Sequence, residues 1–133
     1  MPISSPSNRL TSNRLVRAFG FSAKGLRAAW RDEAAFRQEV CVFAVLLPLT
    51  ALLPLSACAK VVLVGQMALV LVCELMNSEL EAIVDKASPE RNELAAKAKD
   101  CASAAVLVAC VTLAGCWLYM AAPAFWTLLL RML

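Results

Sequence analysis

The sequence predicts an all-α membrane protein, a single domain with three transmembrane helices and an amphipathic surface helix before them. Three observations predict it. Hydrophobic residues make up 61% of the 133-residue chain and charged residues only 17%, a balance that calls for lipid rather than water as solvent. The apolar residues gather into runs at 40–59, 61–84 and 101–120, each near the ~20 residues that a bilayer core requires. The bases are segregated between the loops. Arg9, Arg14, Arg17, Lys24, Arg27, Arg31 and Arg37 precede the first run, and Lys86, Arg91, Lys97 and Lys99 separate the second from the third. Only Lys60 and Arg131 mark the other side. The positive-inside rule places the N-terminus and the 85–100 loop in the cytoplasm and the C-terminus across the membrane. The net charge of +3 matters less than this placement, and no nucleic-acid partner is expected.

Residues 1–8, polar and broken by proline, read as a disordered tail. From 9 to 38 the pattern is amphipathic: Leu15, Phe19, Leu26 and Trp30 share one face, opposite Arg17, Lys24, Arg27 and Arg31. This suits a helix lying in the membrane interface, with Gly20 and Gly25 as places where it bends or breaks. Glu33 projects onto the apolar side, where it is either an i,i+4 partner of Arg37 or a ligand aimed into the bundle. The first span holds Pro48 and Pro54, which predict a kink or a short non-helical passage. Lys60 closes it, and the short link to the second span predicts an antiparallel hairpin. Ser88-Pro89-Glu90 reads as a helix start, followed by a Glu93–Lys97 pair. Trp117, Tyr119 and Trp126 form an aromatic belt at the far side, and Ala122-Pro123 argues against a straight continuation beyond it. Six cysteines without a C-x-x-C pair, in a chain with no histidine, read as small apolar packing residues rather than a zinc site.

The second span carries the chemistry. Cys73 to Asp85 continues the apolar run yet holds Glu74, Asn77, Glu79, Glu81 and Asp85. At ~100° per residue Glu74, Asn77, Ser78, Glu81 and Asp85 share an arc of about 100°, and Glu79 points elsewhere. A carboxylate near the bilayer centre costs about 2.5–3.5 kcal/mol, so the row is either a set of interhelical hydrogen bonds or a reaction site at the membrane edge. Glu74 lies ~16 Å deeper than Asp85 along the helix and Glu81 ~6 Å deeper. That descent suits a reaction between a water-soluble and a lipid-borne reactant. Lys99 and Asp100 either close the same site or mark the interface. With no histidine, a general base must be a carboxylate. Gly20, Gly25, Gly65 and Gly115 build no phosphate-cradling loop, so bound phosphates would be held by side chains and metal.

Two segments carry a family resemblance. Lys24-Gly-Leu-Arg-Ala-Ala-Trp30 followed by Glu33-Ala-Ala-Phe-Arg-Gln-Glu39, and Glu74-x-x-Asn77-Ser78-x-x-Glu81-Ala-x-x-Asp85 with Ala98-Lys99-Asp100 and Ser103-Ala-Ala105 downstream, closely resemble the prokaryotic integral-membrane diacylglycerol kinases. The match runs from about Arg14 to Trp117. The resemblance implies a homotrimeric bundle in the bacterial cytoplasmic (inner) membrane, with composite sites between subunits and a periplasmic C-terminus. It implies transfer of the γ-phosphate of ATP, with Mg²⁺, to the primary hydroxyl of diacylglycerol, giving phosphatidic acid in phospholipid recycling.

Carried over by motif, the resemblance makes Glu74 the catalytic base and Asn77 its support, and gives Glu33 and Glu81 to the metal. Nucleotide contacts fall on Arg14, Phe21, Glu33, Glu81, Asp85, Glu90, Arg91, Asn92, Lys99 and Asp100. The lipid is expected against Arg14, Ala18, Phe19, Gly20, Phe21, Ser22 and Ala23, then Arg27, Ala28, Ala29 and Trp30. It continues over Ala35, Phe36, Arg37, Gln38 and Glu39, and reaches Glu74, Ser103 and Trp117. Phe21 stands where the family commonly has tyrosine and Ala23 where it commonly has tryptophan, and the loop Ser88-Pro-Glu-Arg-Asn92 departs from the usual sequence. The competing readings are a polyprenol (undecaprenol) kinase, a small proton-coupled transporter carrying its proton on Glu74, and a structural oligomerisation module.

Overall fold

The structure is a computed structural model that describes the backbone of residues 6–90 and 92–132 and the side chains of residues 14–90 and 92–130. Among the described residues all regular structure is helical: α1 (Pro6–Asp32), α2 (Ala34–Leu52), α3 (Ala57–Ala87), α4 (Glu93–Cys116), a π-helical turn (Trp117–Ala121) and α5 (Ala122–Met132). Three stretches are long and apolar enough to cross a membrane, Ala34–Leu52, Ala57–Ala87 and Glu93–Leu130. The chain divides into two units, Met1–Ala34 and Ala35–Leu133.

The first unit is α1. It starts at Pro6, inside the segment read from sequence as a tail, while residues 1–5 of that segment lie outside the described residues. Neither Gly20 nor Gly25 interrupts it. The single non-helical residue is Glu33, whose N–H still donates to Ala29 O at 2.9 Å. Glu33, read from sequence as either an i,i+4 partner of Arg37 or a ligand, thus stands between α1, which ends at Asp32, and α2, which begins at Ala34. Residues 34–38, assigned from sequence to the surface helix, instead open α2.

In the second unit Pro48 stays inside α2 and Pro54 lies just beyond its end. Of the two prolines that predicted an interruption, only the second coincides with one. Ser56 caps α3, its hydroxyl accepting from Ala59 N at 3.2 Å. Lys60, expected between the spans, sits in the first turn of α3, and its Nζ donates to Ala51 O at 2.7 Å. A cation thus answers a terminal carbonyl of α2, where the helix dipole is negative.

α3 packs along α4. Leu63, Met67, Val70 and Glu74 are buried on one face of α3, the 4-3-4 spacing of a helix stripe. Met67 and Val70 meet Ala109 and Leu113 of α4, with Phe43 and Leu46 of α2 against them. Leu63 meets Leu53 and Ala121 in a second cluster. Alanines at two of these contacts allow close helix approach, which matters where packing rather than water exclusion drives association.

Two boundaries differ from the sequence reading. Ser88 does not start a helix; its N–H donates to Val84 O at 2.8 Å and ends α3. Pro89 explains this, since the residue before a proline is pushed out of the helical region, and Ser88 has φ −137° and ψ 74°. Asn92 is the true cap of α4, its Oδ1 accepting from Leu94 N at 2.9 Å. Asn92→Ala is therefore expected to lower the stability of the detergent-solubilised chain by about 0.5–2 kcal/mol, read as an earlier thermal transition. The second difference lies at the C-terminus. Helical structure continues from α4 through the π turn into α5 despite Pro123. Ala122 N bonds to Trp117 O across the wider turn, and Pro123 falls in the first turn of α5, where a missing N–H is tolerated.

Candidate functional site

The acid row lies on α3 as its periodicity requires, and the structure grades it by burial. Glu74 is only 4% exposed, Asn77 and Glu81 are half-buried, and Asp85 and Glu79 are exposed. At the outer end Lys99 Nζ donates to Asp85 Oδ1 at 2.9 Å, joining α4 to α3. Glu81 lies near enough to Lys99 to interact with it electrostatically. Lys99 thus turns to the α3 acids, while no ion pair joins Glu93 to Lys97 among the described residues. Asp100 is exposed on the same helix.

At the inner end Glu39 of α2 is close enough to Glu74 for the two carboxyls to interact. Cys73 and Cys110 are within electrostatic range of the same place. Glu39 Oε2 and Asn77 Oδ1 are enclosed, yet neither has a hydrogen-bond partner among the described residues. Buried acceptors of this kind are rare in folded proteins. At Glu39 opens a groove of about 470 Å³, walled by Gln38, Glu39, Val42, Phe43, Leu46, Val70, Cys110, Leu113, Ala114 and Trp117. Its wall is almost wholly apolar, and the two orphaned polar groups on it are Glu39 Oε2 and Trp117 Nε1. Trp117 is half-buried between both core clusters. The other two aromatics read from sequence as a belt, Tyr119 and Trp126, are exposed.

The sequence-predicted residues separate as follows. Glu39, Glu74, Asn77, Glu81, Asp85 and Lys99 stand along the contact of α2, α3 and α4, and Gln38 and Trp117 join Glu39 on the groove. Phe36 is buried and Arg37 half-buried in the first turns of α2, while Ala35 and Ser103 are exposed. Arg14, Ala18, Phe19, Gly20, Phe21, Ser22, Ala23, Arg27, Ala28, Ala29 and Trp30 all lie on α1, and Glu33 follows it. Glu90 is exposed and Asn92 is occupied as a cap. Arg91 lies outside the described residues. The apolar walls Val42, Phe43, Leu46, Cys110 and Leu113 went unrecognised in the sequence, where nothing sets them apart from neighbouring apolar residues.

For Mg²⁺ the donor chemistry fits. Glu81 presents a carboxylate with no hydrogen bond among the described residues, and Mg²⁺ takes one or two carboxylates together with phosphate oxygens and water. No group of three or more Cys, Asp or Glu among the described residues is placed to hold a metal ion by itself. That is compatible with a site completed by a nucleotide.

A family model described as Prokaryotic diacylglycerol kinase matches residues 20–121. The chain is 40% identical over 111 residues to the diacylglycerol kinase of Escherichia coli (strain K12), covering 84% of this chain and 91% of that protein. It is 42% identical over 104 residues to the diacylglycerol kinase of Pseudomonas aeruginosa, covering 78% and 85%. With that of Haemophilus influenzae the identity is 36% over 95 residues, covering 71% and 80%. A chain with a carboxylate row descending one membrane helix and matched at this level over most of its length belongs to the prokaryotic diacylglycerol kinase family.

Proposed function

We propose that this chain transfers the γ-phosphate of ATP to the primary hydroxyl of diacylglycerol, giving ADP and phosphatidic acid. Family membership makes it a lipid kinase embedded in a membrane. The observation that carries the reading is the descent of the α3 polar face from the Asp85–Lys99 pair to buried Glu74, whose neighbour Glu39 lines an apolar groove with Val70 of α3. A charged reactant meets the upper end, and an acyl-bearing one fits the lower.

In this reading Glu74 takes the proton of the lipid hydroxyl as its oxygen attacks the γ-phosphorus in line. Asn77, one turn along the same face, orients the base and the hydroxyl. Lys99 and Arg14 orient the polyphosphate, with Phe21, Asp85, Glu90, Arg91, Asn92 and Asp100 around the nucleotide. Glu33 and Glu81 would hold Mg²⁺, which when bound supplies compensation for phosphate charge. Most of the rate gain then comes from positioning and fixed charge. Gln38, Glu39 and Trp117 receive the glycerol and acyl regions at the groove. Ala18, Phe19, Gly20, Ser22, Ala23, Arg27, Ala28, Ala29, Trp30, Ala35, Phe36, Arg37 and Ser103 supply further lipid contacts. α1 lies on the cytoplasmic surface of the inner membrane as an amphipathic helix, which its exposed Leu15, Phe19, Leu26 and Trp30 support. The C-terminus is periplasmic. The working form is a homotrimer with sites shared between subunits.

Undecaprenol at the same mole fraction in mixed micelles separates the two lipid-kinase readings. Diacylglycerol is expected to be phosphorylated at the higher kcat/KM, and a preference for the polyprenol would overturn the substrate assignment. Uptake driven by a proton gradient, without lipid-dependent ATP turnover, would support the transporter instead.

A further inference from the structure

We propose that the amide of Gln66 is an interhelical hydrogen-bonding site whose partner is the same amide on a second copy of this chain; this rests on the homotrimeric reading above. Gln66 stands in the apolar stretch of α3, ~9 Å along the helix from Lys60. Its Oε1 is enclosed and has no hydrogen-bond partner among the described residues. Water is absent from a hydrocarbon core and acyl chains offer no donor, so an amide there is satisfied by protein or remains a standing cost.

The surroundings of Gln66 point to a second copy of α3. Val62, Gln66, Cys73, Asn77 and Leu80 are half-buried, and Leu69 in the same series is exposed. Their spacings are 4, 3, 4, 4 and 3 residues, and they lie within about 80° on a stripe beside the buried face of Leu63, Met67, Val70 and Glu74. Alternating steps of three and four are the mark of a helix seam that meets another helix along its length. The chain itself covers this seam only in part. An amide is donor and acceptor at once, so identical amides around a rotation axis satisfy one another, each donating Nε2–H to the Oε1 of the next. The terminal torsion of glutamine is broad and roughly two-fold, and its rotation turns Oε1 outward to receive that bond. A polar residue on such a seam also fixes register and copy number, and Gln66 is the one polar side chain in the apolar stretch 61–72 of α3.

The test uses the full-length chain in detergent micelles, with association measured by energy transfer between labelled copies as the detergent:protein ratio is raised. Gln66→Leu preserves volume and removes the hydrogen bonds; it is expected to weaken association about 3- to 30-fold. Gln66→Asn, which retains an amide, is expected to recover part of the loss. In a background with the six natural cysteines replaced, Gln66→Cys is expected to cross-link copy to copy under mild oxidation. Association of Gln66→Leu at wild-type strength, or no cross-link at position 66, would overturn the inference. A chain that associates through Gln66 yet phosphorylates no lipid would support this inference and refute the reaction. A fully active Gln66→Leu with undiminished association would do the reverse.

Discussion

Glu74→Gln is expected to leave association and nucleotide binding in place and to lower kcat for diacylglycerol phosphorylation by about 10²- to 10⁴-fold. That loss corresponds to about 3–5 kcal/mol of transition-state stabilisation. The substitution keeps the volume of a side chain only 4% exposed, so the fold has no cavity to absorb. What it removes is the group that takes the hydroxyl proton. The measurement is initial velocity in mixed micelles with both substrates saturating, alongside energy transfer between labelled copies. Activity within a few-fold of wild type would exclude Glu74 as the base. Glu39, which shares its neighbourhood, would then be the nearest alternative carboxylate.

Glu81→Ala acts one step earlier. Its carboxylate lies between buried Glu74 and the Asp85–Lys99 pair, at the level where nucleotide phosphates would meet the protein. Truncation is expected to weaken Mg²⁺-dependent ATP binding at least about tenfold. The metal-free background should be almost unchanged. Titration calorimetry with and without Mg²⁺ separates these two components, and equal Mg²⁺ dependence in variant and wild type would remove Glu81 from the metal site. The pattern of kinetic loss also distinguishes the two variants. Glu81→Ala should fall first in KM for MgATP, and Glu74→Gln in kcat.

The acid face of α3 was legible because a helix period of 3.6 converts sequence spacing directly into a shared side. The order of depth from Asp85 to Glu74 followed from rise per residue alone, and burial in the structure follows the same order. Local signals were less secure where two elements meet. Ser88-Pro89 resembled a start signal, and the constraint that proline places on the preceding residue made it a stop. Pro123 looked like a terminus, and a single π turn carried the helix on. Lys60 was read as a boundary marker, and its long stem reaches back to cap α2. The approach of Glu39 to Glu74 and of Lys99 to Asp85 joins separate helices, so no periodicity within one element could have revealed it. The groove was illegible for a different reason: its walls are apolar residues on apolar helices, and only the packing of α2 against α3 and α4 distinguishes them. Gln66 went unremarked in the apolar run 61–72, and its orphaned oxygen is a property of the fold.

The proposed reaction stands or falls on whether phosphate reaches lipid. Purified chain in mixed micelles, supplied with Mg²⁺ and ATP labelled in the γ-phosphate, is predicted to place label in phosphatidic acid at a rate that rises with the mole fraction of diacylglycerol. ATP turnover that ignores the lipid, or no labelled phosphatidic acid at any lipid fraction, would contradict it.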